Sequence, residues 1–236
     1  MKSKHISDLS GASYADSLLL TQPQSFLIQE AYRTLRTNVL FALPGSQCKC
    51  IGITSAAPGE GKSTTAINLA ISLSQIGKKV VVIDCDMRLP TIAAKLQVPP
   101  KPGLSDYLVG QADLSQVIVP DPQASLHILP SGSLPPDPTG LLESAQMEQL
   151  FRSLRQTYDF AIIDLPPAVS MSDALIMSKY TDGLLLVVRE QKTRHRAVRD
   201  MMHRLQLAGA KVIGFVVTGS KTEHAKNYTY SYQKKR

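Results

Sequence analysis

Pro58-Gly59-Glu60-Gly61-Lys62-Ser63-Thr64 is the stretch that most limits the folds open to this chain. It follows a short apolar run, Cys50-Ile51-Gly52-Ile53-Thr54, and opens a helical pattern from Thr64 to Ile76. A loop of small residues between strand and helix lets backbone N–H groups converge on phosphate oxygens. The helix N-terminus adds partial positive charge at the same place. Lys62 can then reach the β- and γ-phosphates of a nucleotide, and the Ser63 hydroxyl can ligate Mg²⁺. The pattern G-x-x-x-x-G-K-[ST] asks for glycine at position 56, where this chain has Ala56. The Gly-Lys-Ser ending still favours a phosphate cradle over a ligand-free strand-to-helix turn.

The remaining chain reads as strand alternating with helix. Lys79 to Asp84 is a continuous apolar run ending in acid, the mark of a strand covered on both faces. Leu126 to Leu129, Phe160 to Asp164, Gly183 to Val188 and Val212 to Thr218 are further strand candidates. Helical patterns lie between them at 140–157, 172–180 and 194–208. Another runs from Ser25, its expected cap, to Phe41, and Pro44-Gly45 ends it. The expectation is an α/β fold: a doubly wound, mostly parallel sheet of the P-loop NTPase kind, with ligands at the carboxyl ends of the strands. Two Pro/Gly-rich stretches, Gln97 to Gly103 and Ser131 to Pro138, read as ordered loops, the second stiff enough to shape a surface.

A chain of 236 residues is long enough to bury one α/β core. We divide it into a mobile arm over 1–24, a domain over 25–220 and a flexible polar tail over 221–236. No apolar run approaches the length of a bilayer span, and Met1 to Ser10 lacks the apolar core of a signal peptide, so a cytoplasmic protein is expected. Cys48, Cys50 and Cys85 have neither zinc spacing nor a disulfide framework and read as incidental or buried thiols. The net charge of +7 concentrates at Arg189, Lys192, Arg194, Arg196 and Arg199 and at Lys234-Lys235-Arg236. Such clusters suit an anionic partner or a merely solvated face equally well. Few aromatics accompany them, so no stacking surface for nucleic acid is expected.

Three acids complete the candidate site. Asp84 and Asp86 lie at and just past the end of one predicted strand, and Asp164 ends another. Strand ends on one edge of a parallel sheet bring such side chains beside the phosphate loop. There one acid can hold Mg²⁺ or its waters, while another accepts a proton or orients the attacking hydroxyl. Each acid alone could equally cap a helix or a turn.

With these motifs in place, the chain resembles the bacterial P-loop tyrosine kinases of capsule and exopolysaccharide synthesis, from about Ser25 to the C-terminus. Val82-Ile83-Asp84-Cys85-Asp86-Met87-Arg88-Leu89-Pro90 is similar to that family's second nucleotide motif. Glu30-Ala31-Tyr32-Arg33-Thr34-Leu35-Arg36 is similar to its E-x-x-R-x-x-R helix, which implies that Glu30, Arg33 and Arg36 serve ring-shaped self-association. The spacing alone sets these three on one helix face, where an intrahelical pair is the plainer alternative. Tyr228-Thr229-Tyr230-Ser231-Tyr232 resembles the family's C-terminal autophosphorylation cluster.

The resemblance implies Mg²⁺ and ATP as cofactors. Pro58 to Thr64 would bind the phosphates, Lys62 foremost. Ser63, Asp86 and Asp164 would hold the metal, and Asp84 would act as base or orienter. It also implies transfer in trans to a neighbouring copy's tail, regulation of polysaccharide synthesis and export, and a membrane-protein activator that recruits the chain to the inner face of the membrane.

The sequence departs from related patterns at three places. Ala57 stands where partitioning and division-site ATPases carry a signature lysine, which sets a switch ATPase behind a kinase. Thr218 stands where many relatives have Asn near the adenine, and Asp137-Pro138-Thr139-Gly140 replaces Asn-Pro-x-Glu. A nucleotide-binding regulator without kinase activity is the other alternative.

Overall fold

The computed structural model of the protein describes residues 19–21, 24–45, 47–121 and 124–220. Seven strands form one sheet: β1 (Lys49–Ser55), β2 (Val80–Asp84), β3 (Val119–Pro120), β4 (His127–Leu129), β5 (Phe160–Asp164), β6 (Gly183–Arg189) and β7 (Val212–Thr218). Their order is β3-β4-β2-β5-β1-β6-β7. All pairings are parallel except that of β3 with β4 at one edge. The chain runs outward from β1 to β2, returns to insert β5 between them, then continues on the far side with β6 and β7. β1 thus stands where the winding reverses, and the loop that follows it opens into the crevice expected of a doubly wound sheet.

Alternation along the strands divides the core into two layers. Val81, Ile83, Ala161, Ile163, Leu184 and Leu186 pack on one side against α4 (Leu104–Leu108), α5 (Leu114–Val117), α7 (Ala145–Thr157) and α9 (His195–Leu207). Ile51, Ile53, Val80, Val82, Ile162 and Val187 pack on the other against α1 (Phe26–Ala42), α2 (Lys62–Ser74) and α3 (Ile92–Leu96). Every residue of β2 and β5 is buried, which is why these strands carry no polar alternation in sequence.

The expected helix over 140–157 is two helices, α6 (Pro138–Leu142) and α7, because Ser144 breaks the run and caps Met147 through its hydroxyl. The stretch 172–180 likewise divides into α8 (Asp173–Met177) and a 3₁₀ turn over Ser178–Tyr180. The stiff loop after β4 is stitched to α4. Leu104 and Ser105 donate backbone N–H bonds to the Pro130 and Ser131 carbonyls, and Asp106 accepts from the Gly103 and Ser133 N–H groups. Nearer the N-terminus, Leu19 is buried, 2% exposed. The Leu20 N–H donates to Asn68 Oδ1 at 2.8 Å, anchoring that segment on α2.

Candidate nucleotide and phosphoryl-transfer site

The loop between β1 and α2 is shaped before any ligand is considered. Gly61 adopts φ +99°, a left-handed conformation that favours glycine, and a Cβ there would come within 3.3 Å of the Thr218 methyl. Glu60 turns inward and is 1% exposed. Its Oε2 accepts from the Ala56 and Ala57 N–H groups at 3.0 Å each, and Oε1 accepts from the Thr193 hydroxyl at 2.6 Å. The Thr218 hydroxyl donates to the Glu60 carbonyl at 2.6 Å, and Arg189 Nη1 donates to the Gly59 carbonyl at 3.1 Å. Glu60 is therefore a strut that closes the start of the loop on itself, while exposed Pro58 and Gly59 form its crest.

Lys62 opens α2 and points into the crevice. Its Nζ lies 2.8 Å from Asp86 Oδ2 and 3.5 Å from Asp164 Oδ1. The register of the sheet explains the gathering: Asp84 and Asp164 are direct partners at the carboxyl ends of β2 and β5, and Asp164 is also level with Ile53 of β1. All four groups are buried. Burial lowers the Lys62 pKa, but Asp164 and Asp86 more than offset this, and the ammonium stands above its usual value. Burial raises the Asp164 carboxyl, with Lys62 and Ser63 pulling the other way. Burial first and the Asp164 charge second push Asp84 up to about 7. Asp84 also has a structural task, accepting from the backbone N–H groups of Asp86, Thr91 and Ile92, so it shapes the turn that carries Asp86.

The two oxygens of Asp164 are fully buried, with the Lys62 ammonium 3.5 Å from Oδ1 and no hydrogen bond of full geometry from the described residues. A buried carboxylate so loosely partnered is costly, and a hard cation beside Lys62 would satisfy it further. Mg²⁺ is usually held by one or two carboxylates together with phosphates and waters rather than by an all-protein cage. Ser63, Asp86 and Asp164 thus fit the metal, and the loop 58–64 with Lys62 fits the phosphates. When bound, Mg²⁺ neutralises phosphate charge there.

The helix carrying Glu30, Arg33 and Arg36 does not present them as one stripe. Glu30 and Arg33 form an exposed ion pair on α1, whereas Arg36 turns against α2 and donates to the Ser72 carbonyl at 2.7 Å. Cys48, Cys50 and Cys85 are buried free thiols. Tyr228, Tyr230 and Tyr232 lie outside the described residues. Thr193 and Asp173 carried no signal in sequence. Thr193 follows an unremarkable turn and Asp173 reads as a helix-start acid, yet both reach the walls of the site.

The fold and the site define a nucleotide-binding P-loop protein of the doubly wound class. Residues 48–212 match the model of the AAA domain family. The chain is 38% identical over 213 residues to tyrosine-protein kinase YwqD of Bacillus subtilis, covering 90% of each chain. It is 35% identical over 188 residues to tyrosine-protein kinase ptk of Acinetobacter johnsonii, covering 80% of this chain but 26% of that one. The crystal structure of the chimerical protein CapA2B2 superposes with a TM-score of 0.80 at 37% identity, covering 85% of this chain and 89% of that one. The septum site-determining protein MinD of Pyrococcus horikoshii, solved with Mg-ADP, is a more distant likeness, with a TM-score of 0.62, 25% identity and 76% of each chain covered. The chain belongs to the bacterial P-loop tyrosine-protein kinases.

Proposed function

We propose that this chain binds Mg-ATP on the loop 58–64 and transfers the γ-phosphoryl group to Tyr228, Tyr230 and Tyr232 of a neighbouring copy, in the service of capsule or exopolysaccharide synthesis and export. The observation that carries this reading is the buried Lys62, paired with Asp86 at 2.8 Å and more loosely with the fully buried Asp164 at 3.5 Å. A loose phosphoryl-transfer transition state asks for positioned charge more than for covalent help, and this arrangement supplies it. Lys62 holds the phosphates, and Ser63, Asp86 and Asp164 hold the metal. Asp84, pushed up to about 7, takes or orients the tyrosine proton.

Glu30 and Arg33 on exposed α1 offer the self-association surface, with Arg36 fixing that helix to the domain. A membrane-protein activator belongs to the same proposal and would bring the chain to the inner face of the membrane. Among the described residues no helix is long and apolar enough to cross a membrane. The ptk relative, matched over only a quarter of its length, supports a kinase unit that works beside further protein.

Mapping phosphate after incubation with ATP and Mg²⁺, in the presence of an anionic membrane fraction from the source cells, tests the reading. Phosphate on the tail tyrosines of wild type and none in Lys62→Met is expected. Undiminished labelling in Lys62→Met sinks the assignment. ATP hydrolysis stimulated by lipid or DNA without phosphotyrosine would instead favour the switch ATPase that the MinD likeness offers, although Ala57 lacks the lysine such a switch uses.

A further inference from the structure

The turn Asp137-Pro138-Thr139-Gly140 departs from Asn-Pro-x-Glu at its first and last residues, and the two departures meet in one arrangement. Asp137 caps α6, its Oδ1 accepting the Gly140 N–H at 3.0 Å, and a Cβ at position 140 would come within 2.4 Å of Asp137 Oδ2. With Asp137 in this capping rotamer, a side chain at 140 would force it to turn away. Pro138 is buried, and Thr139 is the residue of this turn whose side chain bonds across the fold.

Thr139 closes a ring of three side chains. Its hydroxyl donates to Asp173 Oδ1 at 3.0 Å and accepts from Arg88 Nη2 at 3.0 Å, while Arg88 Nε donates to Asp173 Oδ2 at 3.2 Å. The ring joins three segments: the acid-bearing loop after β2, α6, and the start of α8. Asp173 is 1% exposed, so its charge depends on these two partners, and losing either leaves a buried carboxylate oxygen unsatisfied. Arg88 lies two residues beyond Asp86. Asp86 takes Lys62 Nζ on one oxygen and the Leu89 N–H on the other. The loop is thus gripped at Asp86 by Lys62 and at Arg88 by the ring.

We propose that Thr139 and Asp173 are positioning residues for phosphoryl transfer, acting through Arg88 to hold the acid loop so that Asp86 stays on Lys62. This rests on the kinase reading above. Neither residue hydrogen-bonds to the phosphate loop; their influence runs through Arg88.

Thr139→Val keeps the side-chain shape and deletes the hydroxyl, and Thr139→Ser keeps the hydroxyl. Both are measured in the full chain for kcat and KM of tyrosine phosphorylation, for Mg-ADP affinity, and for hydrogen exchange over residues 85–92. The valine variant should lose about 10- to 100-fold in kcat, the scale of a misplaced group near the chemistry. Its Mg-ADP affinity should stay within about threefold of wild type, because loop 58–64 is untouched, and amides of 85–92 should exchange faster. The serine variant should track wild type in all of these. Arg88→Lys, which keeps the charge but loses the planar fork, should repeat the valine result if that variant folds poorly.

Wild-type kcat in Thr139→Val, or an equal loss in Thr139→Ser, overturns the proposal. If wild type makes no phosphotyrosine, the kinase reading fails by itself, and exchange over 85–92 still reports on the ring. Unchanged exchange in Thr139→Val then removes the clamp. Faster exchange keeps the clamp but overturns its assignment to transfer.

Discussion

The pair Lys62–Asp86 and the pair Arg33–Glu30 have the same chemistry and opposite surroundings. The first sits at the ends of buried strands, with side chains 9% and 4% exposed; the second lies on the outer face of α1, at 53% and 41%. Water screens the outer pair and holds its net worth to a few tenths of a kcal/mol. The inner pair has lost its water, so each charge there depends on the others and on whatever binds. Burial, rather than contact distance, decides which pair governs stability and which is free to serve a surface.

The largest effect should come from breaking the inner set. Lys62→Met should lower tyrosine phosphorylation by about 10³-fold or more, as expected when a main stabiliser of developing charge is lost. It should also destabilise the nucleotide-free protein at neutral pH by roughly 3–5 kcal/mol, because Asp86 and Asp164 are left without their cation. At lower pH that loss should shrink as the Asp164 carboxyl, raised by burial, takes up a proton. A melting curve with the same loss at both pH values would show that Lys62 does not compensate the acids.

Asp164→Asn should separate stability from function. Burial raises the Asp164 carboxyl despite Lys62, so its charge is a net burden in the nucleotide-free fold at neutral pH. The variant should melt at the same temperature as wild type or higher, while the extra stabilisation by Mg-ADP falls to that given by ADP alone. A lower melting temperature without nucleotide would mean that Lys62 needs Asp164 more than Asp164 costs.

Asp84 gives the inner region a pH dependence that the outer region lacks. With a folded-state pKa of about 7 against an ordinary 3.8, the folded state holds a proton between those values that the unfolded chain has released. The stabilising contribution is complete below pH 3.8 and is lost as pH rises through 7. Thermal stability without nucleotide should therefore fall between about pH 4 and pH 7, and Asp84→Asn should flatten the slope. If Asp84 is also the proton acceptor, phosphorylation should rise over the same interval in wild type, a trend opposite to that of stability.

The inner region was largely legible in the sequence and the outer one only in part. Apolar runs ending in acid located β2 and β5, and Gly61-Lys62-Ser63 located the turn into α2, because strand burial and phosphate binding both demand local patterns. The short helices α3, α4 and α5 and strand β3 were not legible, since four or five residues, or two, show no period. Contacts across the fold were hidden for a different reason. Arg88 and Asp173 lie 85 positions apart, and nothing local marks either as the other's partner. The inward turn of Glu60 was equally hidden, because its partner Thr193 arrives from beyond β6. On α1 the spacing of Glu30, Arg33 and Arg36 was plain, but only the packing of α1 on α2 decides which arginine turns inward.

That division on α1 supplies the smallest predicted effect on stability and the clearest contrast with the inner set. Arg33→Ala should cost less than about 0.5 kcal/mol in the monomer, the range of exposed i,i+3 pairs. Arg36→Ala removes a charge-assisted bond to the Ser72 carbonyl and should cost about 1.5–3 kcal/mol. In sedimentation the order should reverse for self-association: Arg33→Ala weakens it at a concentration where the folded fraction is unchanged, and added salt weakens it in wild type as well. If instead both substitutions lower stability and association together, α1 acts as one packed element and its outer pair has no separate task.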